Sequence, residues 1–157
     1  MQLRIREMTE TDGRAICEWR YEPPYDIYTS EPWETMAARA FEFADPDIRK
    51  AQYASVEDED GELIGFAQFF PIVGVTRIGL GLRPDRCGQG YGLPFVKAIV
   101  AEAKRRAPDD EIDLEVLVWN GRARKVYEKA GFRLTDTYVR NTPTGLAEFH
   151  CMVYEGE

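Results

Sequence analysis

The stretch that decides the fold runs Val75-Thr76-Arg77-Ile78-Gly79-Leu80-Gly81-Leu82-Arg83-Pro84-Asp85-Arg86-Cys87-Gly88-Gln89-Gly90-Tyr91-Gly92. Val75–Leu82 has strand character and runs into a turn where Gly88, Gly90 and Gly92 alternate. Phe95, Val96, Ile99, Val100 and Ala103 then recur at helical spacing and mark one buried face. A second unit follows: Ile112–Val118 alternates as a strand, and Ala123–Ala130 is helical and stops at Gly131, a residue suited to a left-handed cap. Strand, glycine turn, helix, strand, helix is the skeleton of an α/β domain.

Successive backbone N–H groups in such a turn can converge on a phosphate at the N-terminus of the helix. Glycine permits the dihedrals this needs. The helix carries no acidic residue in its first turns to oppose an anion. A P-loop is excluded by the missing Gly-Lys-Ser/Thr. A Rossmann fingerprint is disfavoured, because the turn follows three strands and lacks the GxGxxG spacing. Cys87 opens the turn either as a small residue filling a tight corner or as a nucleophile.

Outward from this centre, Leu3–Glu7 reads as strand one. Thr9-Glu10-Thr11-Asp12 resembles a capping box ahead of Ala15, Ile16 and Trp19. A second helix is expected from Pro32 to about Phe43, with Asp45-Pro46-Asp47 as a loop. Ala51–Glu57 and Glu62–Pro71 flank Asp58-Glu59-Asp60-Gly61 as a hairpin, and Phe132–Arg140 with Ala147–Tyr154 closes the chain as a strand pair. The predicted order is β-α-α-β-β-β-α-β-α-β-β: one domain, residues 1–157, with a mixed, mostly antiparallel sheet of about seven strands and helices on both faces.

Composition narrows the classes of function. With 44% hydrophobic and 31% charged residues the chain is an ordinary globular one. The three cysteines form no CxxC pair, which suggests a reduced, cytoplasmic setting. The start lacks a secretory apolar segment, and Gly65–Val75 is too short and interrupted to span a bilayer, so no membrane role is expected. A net charge of −8 argues against nucleic acid as a partner. Met1–Leu82 holds 8 Lys/Arg against 16 Asp/Glu, whereas Arg83–Lys129 holds 10 against 8. The net-positive segment is the one with the glycine turn, although counts alone do not separate this from a random scatter of surface charge.

Four other features carry chemistry. Asn120, Ala123 and Tyr127 share one helix face, with Asn120 able to cap that helix. Tyr127 is a phenol able to exchange a proton or a core tyrosine. Glu115 lies opposite Ile112, Leu114 and Val116 in its strand. A carboxylate within a covered sheet is either a proton acceptor or an ion-pair partner of Arg77 or Arg140. In Trp19–Tyr28, Tyr25 and its aromatic neighbours with Glu22 and Asp26 could hold a cation or form a satellite cluster under a loop. His150 is the sole histidine, so neither a Ser-His-Asp triad nor a histidine-rich metal site is expected, and a strand-surface place in the final hairpin is.

Taken together, Cys87-Gly88-Gln89-Gly90-Tyr91-Gly92 and Asn120-Gly121-Arg122-Ala123 through Tyr127-Glu128-Lys129-Ala130-Gly131-Phe132 resemble the paired cofactor signatures of the GNAT family of N-acetyltransferases. The turn matches that family's Gln/Arg-x-x-Gly-x-Gly/Ala pattern, with Cys87 standing where Gln or Arg usually begins it. The resemblance implies an acetyl-CoA-dependent N-acetyltransferase without a metal. Coenzyme A would contact Leu80, Leu82, Cys87, Gly88, Gln89, Gly90, Tyr91, Gly92, Asn120, Ala123 and Tyr127. It further implies that the fourth and fifth strands splay beyond Leu82, that Tyr127 protonates the leaving thiolate, and that Glu115 acts as base. Glu22, Tyr25 and Asp26 would line the wall facing a small amine or a peptide N-terminus. A homodimer is compatible with it. A non-catalytic acyl-CoA-binding or sensor protein is the rival reading.

Overall fold

In a computed structural model describing residues 2–156, a seven-stranded sheet carries helices on both faces. The first strand, β1 (Arg4–Glu7), leads into α1 (Glu10–Ile16), α2 (Trp33–Ala38) and α3 (Pro46–Gln52). Then come β2 (Tyr53–Glu57), β3 (Leu63–Ile72), β4 (Val75–Leu82), α4 (Gly92–Arg106), β5 (Glu111–Leu117), α5 (Gly121–Ala130), β6 (Phe132–Thr142) and β7 (Gly145–Tyr154). The spatial order is β1-β2-β3-β4-β5-β7-β6, antiparallel throughout except where β4 meets β5. Among the described residues no helix is long and apolar enough to cross a membrane.

The expected order needs one correction. Asp45-Pro46-Asp47 starts α3 and is not a loop. Asp45 Oδ1 accepts from the N–H groups of Asp47 (2.8 Å) and Ile48 (3.0 Å), and Pro46 occupies the first helical position, where its missing N–H costs nothing. Helix therefore takes the residues up to Gln52, and β2 starts at Tyr53 instead of Ala51. The preceding helix is shorter than expected: α2 ends at Ala38, and Ala40 and Glu42, both at φ 49°, break it before Phe43.

The capping box at α1 forms as its residues indicate. Thr9 Oγ1 accepts from Asp12 N–H at 3.1 Å, and Asp12 Oδ2 accepts from Thr9 N–H at 2.9 Å. Asp12 also accepts from Arg6 (2.6 Å) and the Ser55 hydroxyl (2.9 Å), which fastens α1 to β1 and β2. Burial alone would raise the Asp12 pKa, but these donors outweigh it and hold the carboxyl at about 2.

Two cores separate across the sheet. Ile64, Ala67, Ile78, Leu114 and Met152 pack with Phe95, Val96 and Ile99 of α4 on one face. On the other, Tyr53 packs with Ile16, Met36 and Phe43 under α1, α2 and their connection. A side chain at Gly81 would collide with the Phe66 ring on that second face, which explains a glycine in mid-strand.

The feature that positions the site is a parting of the sheet. Only Val75, Thr76 and Arg77 of β4 pair with Glu111, Ile112 and Asp113 of β5. From there β4 continues to Leu82 paired with β3 alone, and β5 continues to Leu117 paired with β7 alone. The strands thus separate after Arg77, five residues earlier than the splay expected beyond Leu82. A parallel pair bridged by α4 tolerates this divergence, since each strand keeps a full ladder on its other side.

Candidate active site

Backbone parity sets what the gap offers. Arg83 N–H donates to Ile64 O at 2.7 Å, toward β3, while Gly74 O accepts from Glu111 N–H, toward β5. Polar groups of alternate strand residues point the same way, so Leu80 and Leu82 turn theirs into the gap. The Leu82 carbonyl accepts from the Tyr21 hydroxyl at 2.7 Å, and the register with β3 turns the N–H groups of Leu80 and Leu82 away from that strand.

Beyond Leu82 the chain enters the glycine turn, where Gly88 (φ 73°) and Gly90 (φ 84°) both take left-handed dihedrals. Among the described residues the N–H groups of Gly88, Gln89, Gly90 and Tyr91 donate to no acceptor. Those of Gly92 and Leu93 open α4, which has neither a side-chain cap nor an acidic residue in its first turn. A run of unpaired donors at a helix N-terminus fits a phosphate. Nothing lies within 4 Å of a Cβ built on Gly88 or Gly90, so the cradle is open.

Cys87 behaves as a corner residue. Its sulfur lies 3.9 Å from Leu82 O and 3.7 Å from Arg83 O, and burial pushes the thiol above its ordinary value, away from the reactive thiolate. Arg86 turns away from the cradle. It donates to the Tyr91 hydroxyl (2.7 Å), Glu62 (2.8 Å) and Asp58 (3.3 Å). Arg83 likewise binds Leu63 O (2.8 Å) and Glu62 (3.1 Å). The acidic β2–β3 turn consumes both cations and clamps the glycine turn in place.

Across the gap, Asn120 is buried and uses both ends of its amide. Its Oδ1 accepts from Ala123 N–H (3.2 Å), capping α5, and its Nδ2 donates to the Tyr28 hydroxyl (2.9 Å). Ala123 and Tyr127 pack against the first core, the Tyr127 ring meeting Phe132 edge-on at 6.1 Å between centroids. The Tyr127 hydroxyl makes no hydrogen bond among the described residues. Burial, with a smaller contribution from Tyr28, pushes its pKa well above the ordinary phenol value. The group stays protonated at neutral pH.

Glu115 faces away from Tyr127, on the side of the sheet shared with Arg77. Its carboxylate accepts from the Tyr138 hydroxyl (2.5 Å) and pairs with Arg140 (3.2 Å) and Arg77 (3.7 Å). Arg77 also makes a two-point contact with Asp113 at 2.9 and 3.0 Å. Both cations named from sequence are therefore present, joined by Tyr138, which sequence reasoning missed. Burial and the Glu115 carboxylate raise the Tyr138 pKa, so it remains the donor.

Tyr25–Tyr28 forms a 3-10 turn that packs on Trp119, with ring centroids at 5.6 Å for Tyr25 and 6.3 Å for Tyr28. Arg122 lies 4.0 Å above the Tyr25 ring, so this aromatic cluster holds a cation from its own chain. Glu22 and Asp26 are exposed and form no ion pair among the described residues. His150 Nδ1 sits 2.8 Å from the Thr137 hydroxyl, and no cluster of metal-ligating side chains occurs among the described residues.

The acetyltransferase (GNAT) domain family matches residues 2–133, and the chain is an acetyltransferase domain of this family. Its fold is similar to that of solved relatives. A spermidine N-acetyltransferase chimera from Vibrio cholerae and hSSAT superposes with a TM-score of 0.78 at 20% identity, covering 98% of this chain and 95% of that one. The Vibrio cholerae spermidine N-acetyltransferase in complex with CoA and spermine gives 0.67 at 20% identity, over 97% and 94%. The ribosomal-protein-S18-alanine N-acetyltransferase of Escherichia coli gives 0.64 at 19%, over 98% and 93%.

Proposed function

We propose that this chain transfers an acetyl group from acetyl-CoA to a primary amine, within a complex that holds both at once. The observation that carries the reading is the run of unpaired N–H groups from Gly88 to Tyr91 at the mouth of the β4–β5 gap. The residues that would hold the donor are Gly88, Gln89, Gly90, Tyr91 and Gly92 at its phosphates, with Leu80, Leu82, Asn120 and Ala123 along its arm. Bound there, acetyl-CoA supplies an activated thioester carbonyl and a thiolate leaving group.

The two faces of the sheet divide the remaining work. Tyr127, protonated and with a free hydroxyl on the α5 side, donates a hydrogen bond to the departing sulfur. Its raised pKa makes full proton transfer steeper than for an ordinary phenol of pKa about 10, so the hydrogen bond is the larger part of its effect. The Leu82 N–H, aimed into the gap, stabilises negative charge developing on a carbonyl oxygen. On the opposite face Glu115 receives the ammonium proton through a water it orients, because its own oxygens are already engaged by Tyr138 and two arginines.

The acceptor approaches along the Tyr25–Tyr28 turn, beside exposed Glu22 and Asp26, which favours a small cationic amine or a peptide N-terminus. Relatives whose names specify spermidine and an alanine of ribosomal protein S18 support an amine acceptor. The test is release of free thiol from acetyl-CoA across a panel of polyamines, amino acids and peptides. Turnover with at least one amine is expected. CoA binding without turnover on any amine would favour an acyl-CoA sensor instead.

A further inference from the structure

Arg122 is the one arginine among the described residues with neither a hydrogen bond nor an ion pair. Every other one reaches a carboxylate or a backbone carbonyl, whether on the sheet, on the helices or at the glycine turn. Arg122 lies instead 4.0 Å above the Tyr25 ring, and Tyr25 in turn packs on Trp119. Stacking fixes the guanidinium plane yet leaves its in-plane N–H donors unused.

Its placement is costly without an anion. Arg122 stands in the first turn of α5, where the helix dipole disfavours a cation, and no acidic residue shares that turn. Val126, one turn further along the same face of α5, would lie 3.4 Å from a Cβ built on Gly92, which sets this face of the helix beside the glycine turn. Cys87 is where this chain lacks the polar Gln or Arg that begins the turn in its family. Arg83 and Arg86, the nearest cations in sequence, are held by the β2–β3 turn.

We infer that Arg122, stacked on Tyr25, is the cation that pairs with the pyrophosphate of the acyl donor, doing from α5 what the residue at position 87 cannot do from the turn. Tyr25 is then a positioning residue for cofactor binding. This deepens the acetyl-CoA reading above and rests on it.

The experiment is calorimetric binding of CoA, dephospho-CoA and pantetheine to the full chain, with unfolding curves for each variant. Arg122→Gln should weaken CoA and dephospho-CoA alike by about tenfold, the scale of one charge-assisted hydrogen bond, while leaving pantetheine unchanged. It should also flatten the salt dependence of CoA binding. Tyr25→Phe should bind CoA as wild type does, and Tyr25→Leu should lose about threefold through a looser guanidinium. Wild-type affinity for CoA in Arg122→Gln would overturn the inference. A loss seen with CoA but absent with dephospho-CoA would overturn it too, by moving the contact to the 3′-phosphate. If the wild-type chain binds no CoA, the cofactor reading itself falls; if it binds CoA but transfers nothing, Arg122 keeps its role and only the transfer reading falls.

Discussion

The two walls of the β4–β5 gap treat their polar groups in opposite ways. On the glycine-turn side, the N–H groups from Gly88 to Tyr91 are left without hydrogen-bond partners. On the β5 side, Arg77, Asp113, Glu115, Tyr138 and Arg140 satisfy one another in a closed network. A closed network is a rigid support, and its members have little left to offer a ligand. An open array is costly for the protein alone and becomes favourable only when an anion arrives. Unspent donors are thus the better guide to where the cofactor goes, and spent ones to what holds the site in shape.

Gly90→Asp attacks the open wall directly. It forces a side chain into φ 84° and adds a negative charge among the donors, so CoA affinity should fall by about a hundredfold or more in calorimetry. Unchanged affinity in a folded variant would mean the phosphates lie elsewhere. Tyr127→Phe comes next: kcat should drop by about 10- to 100-fold with little change in KM for acetyl-CoA, because the hydroxyl acts when charge develops on sulfur. An equal rise in KM alone would make Tyr127 a packing residue.

Glu115→Gln breaks the closed wall. Removing the charge between Arg77 and Arg140 should cost about 2 kcal/mol of stability in a denaturant titration. It should also flatten the acidic limb of the pH–rate profile if the carboxylate orients the proton-accepting water. A stability loss with an unaltered profile would confine Glu115 to support. The smallest effect is expected for Glu22→Gln combined with Asp26→Asn, about a threefold rise in KM for a cationic amine that fades as salt increases. An anionic acceptor emerging from the screen would contradict this last expectation while leaving the acetyl-transfer reading intact.

The legible parts of this molecule were those with local causes. The capping box at Thr9, the strand Val75–Leu82, the glycine turn and the Gly131 cap all depend on residues within a few positions of one another. The helix at Pro46 is not legible locally, because Asp-Pro serves loops and helix starts equally and the choice rests on Asp45 finding two N–H groups. Contacts between distant residues were beyond reach. Tyr21 with Leu82, Tyr28 with Asn120 and Tyr138 with Glu115 join positions that no spacing rule connects. Glu115 illustrates both: its strand face was readable from alternation, and two of its partners were foreseeable as basic neighbours, but the phenol that completes the set was not.

The three-residue contact between β4 and β5 has a mechanical consequence. Strands β1 to β4 and strands β5 to β7 are two plates welded along a short seam at Val75–Arg77 and braced elsewhere by the helix α4. Load applied across the sheet concentrates on that seam, as it does at the root of a notch. The ladders within each plate, eight pairs between β3 and β4 and five between β5 and β7, hold after it has torn. The gap between β4 and β5 is therefore also the line along which the molecule would first come apart.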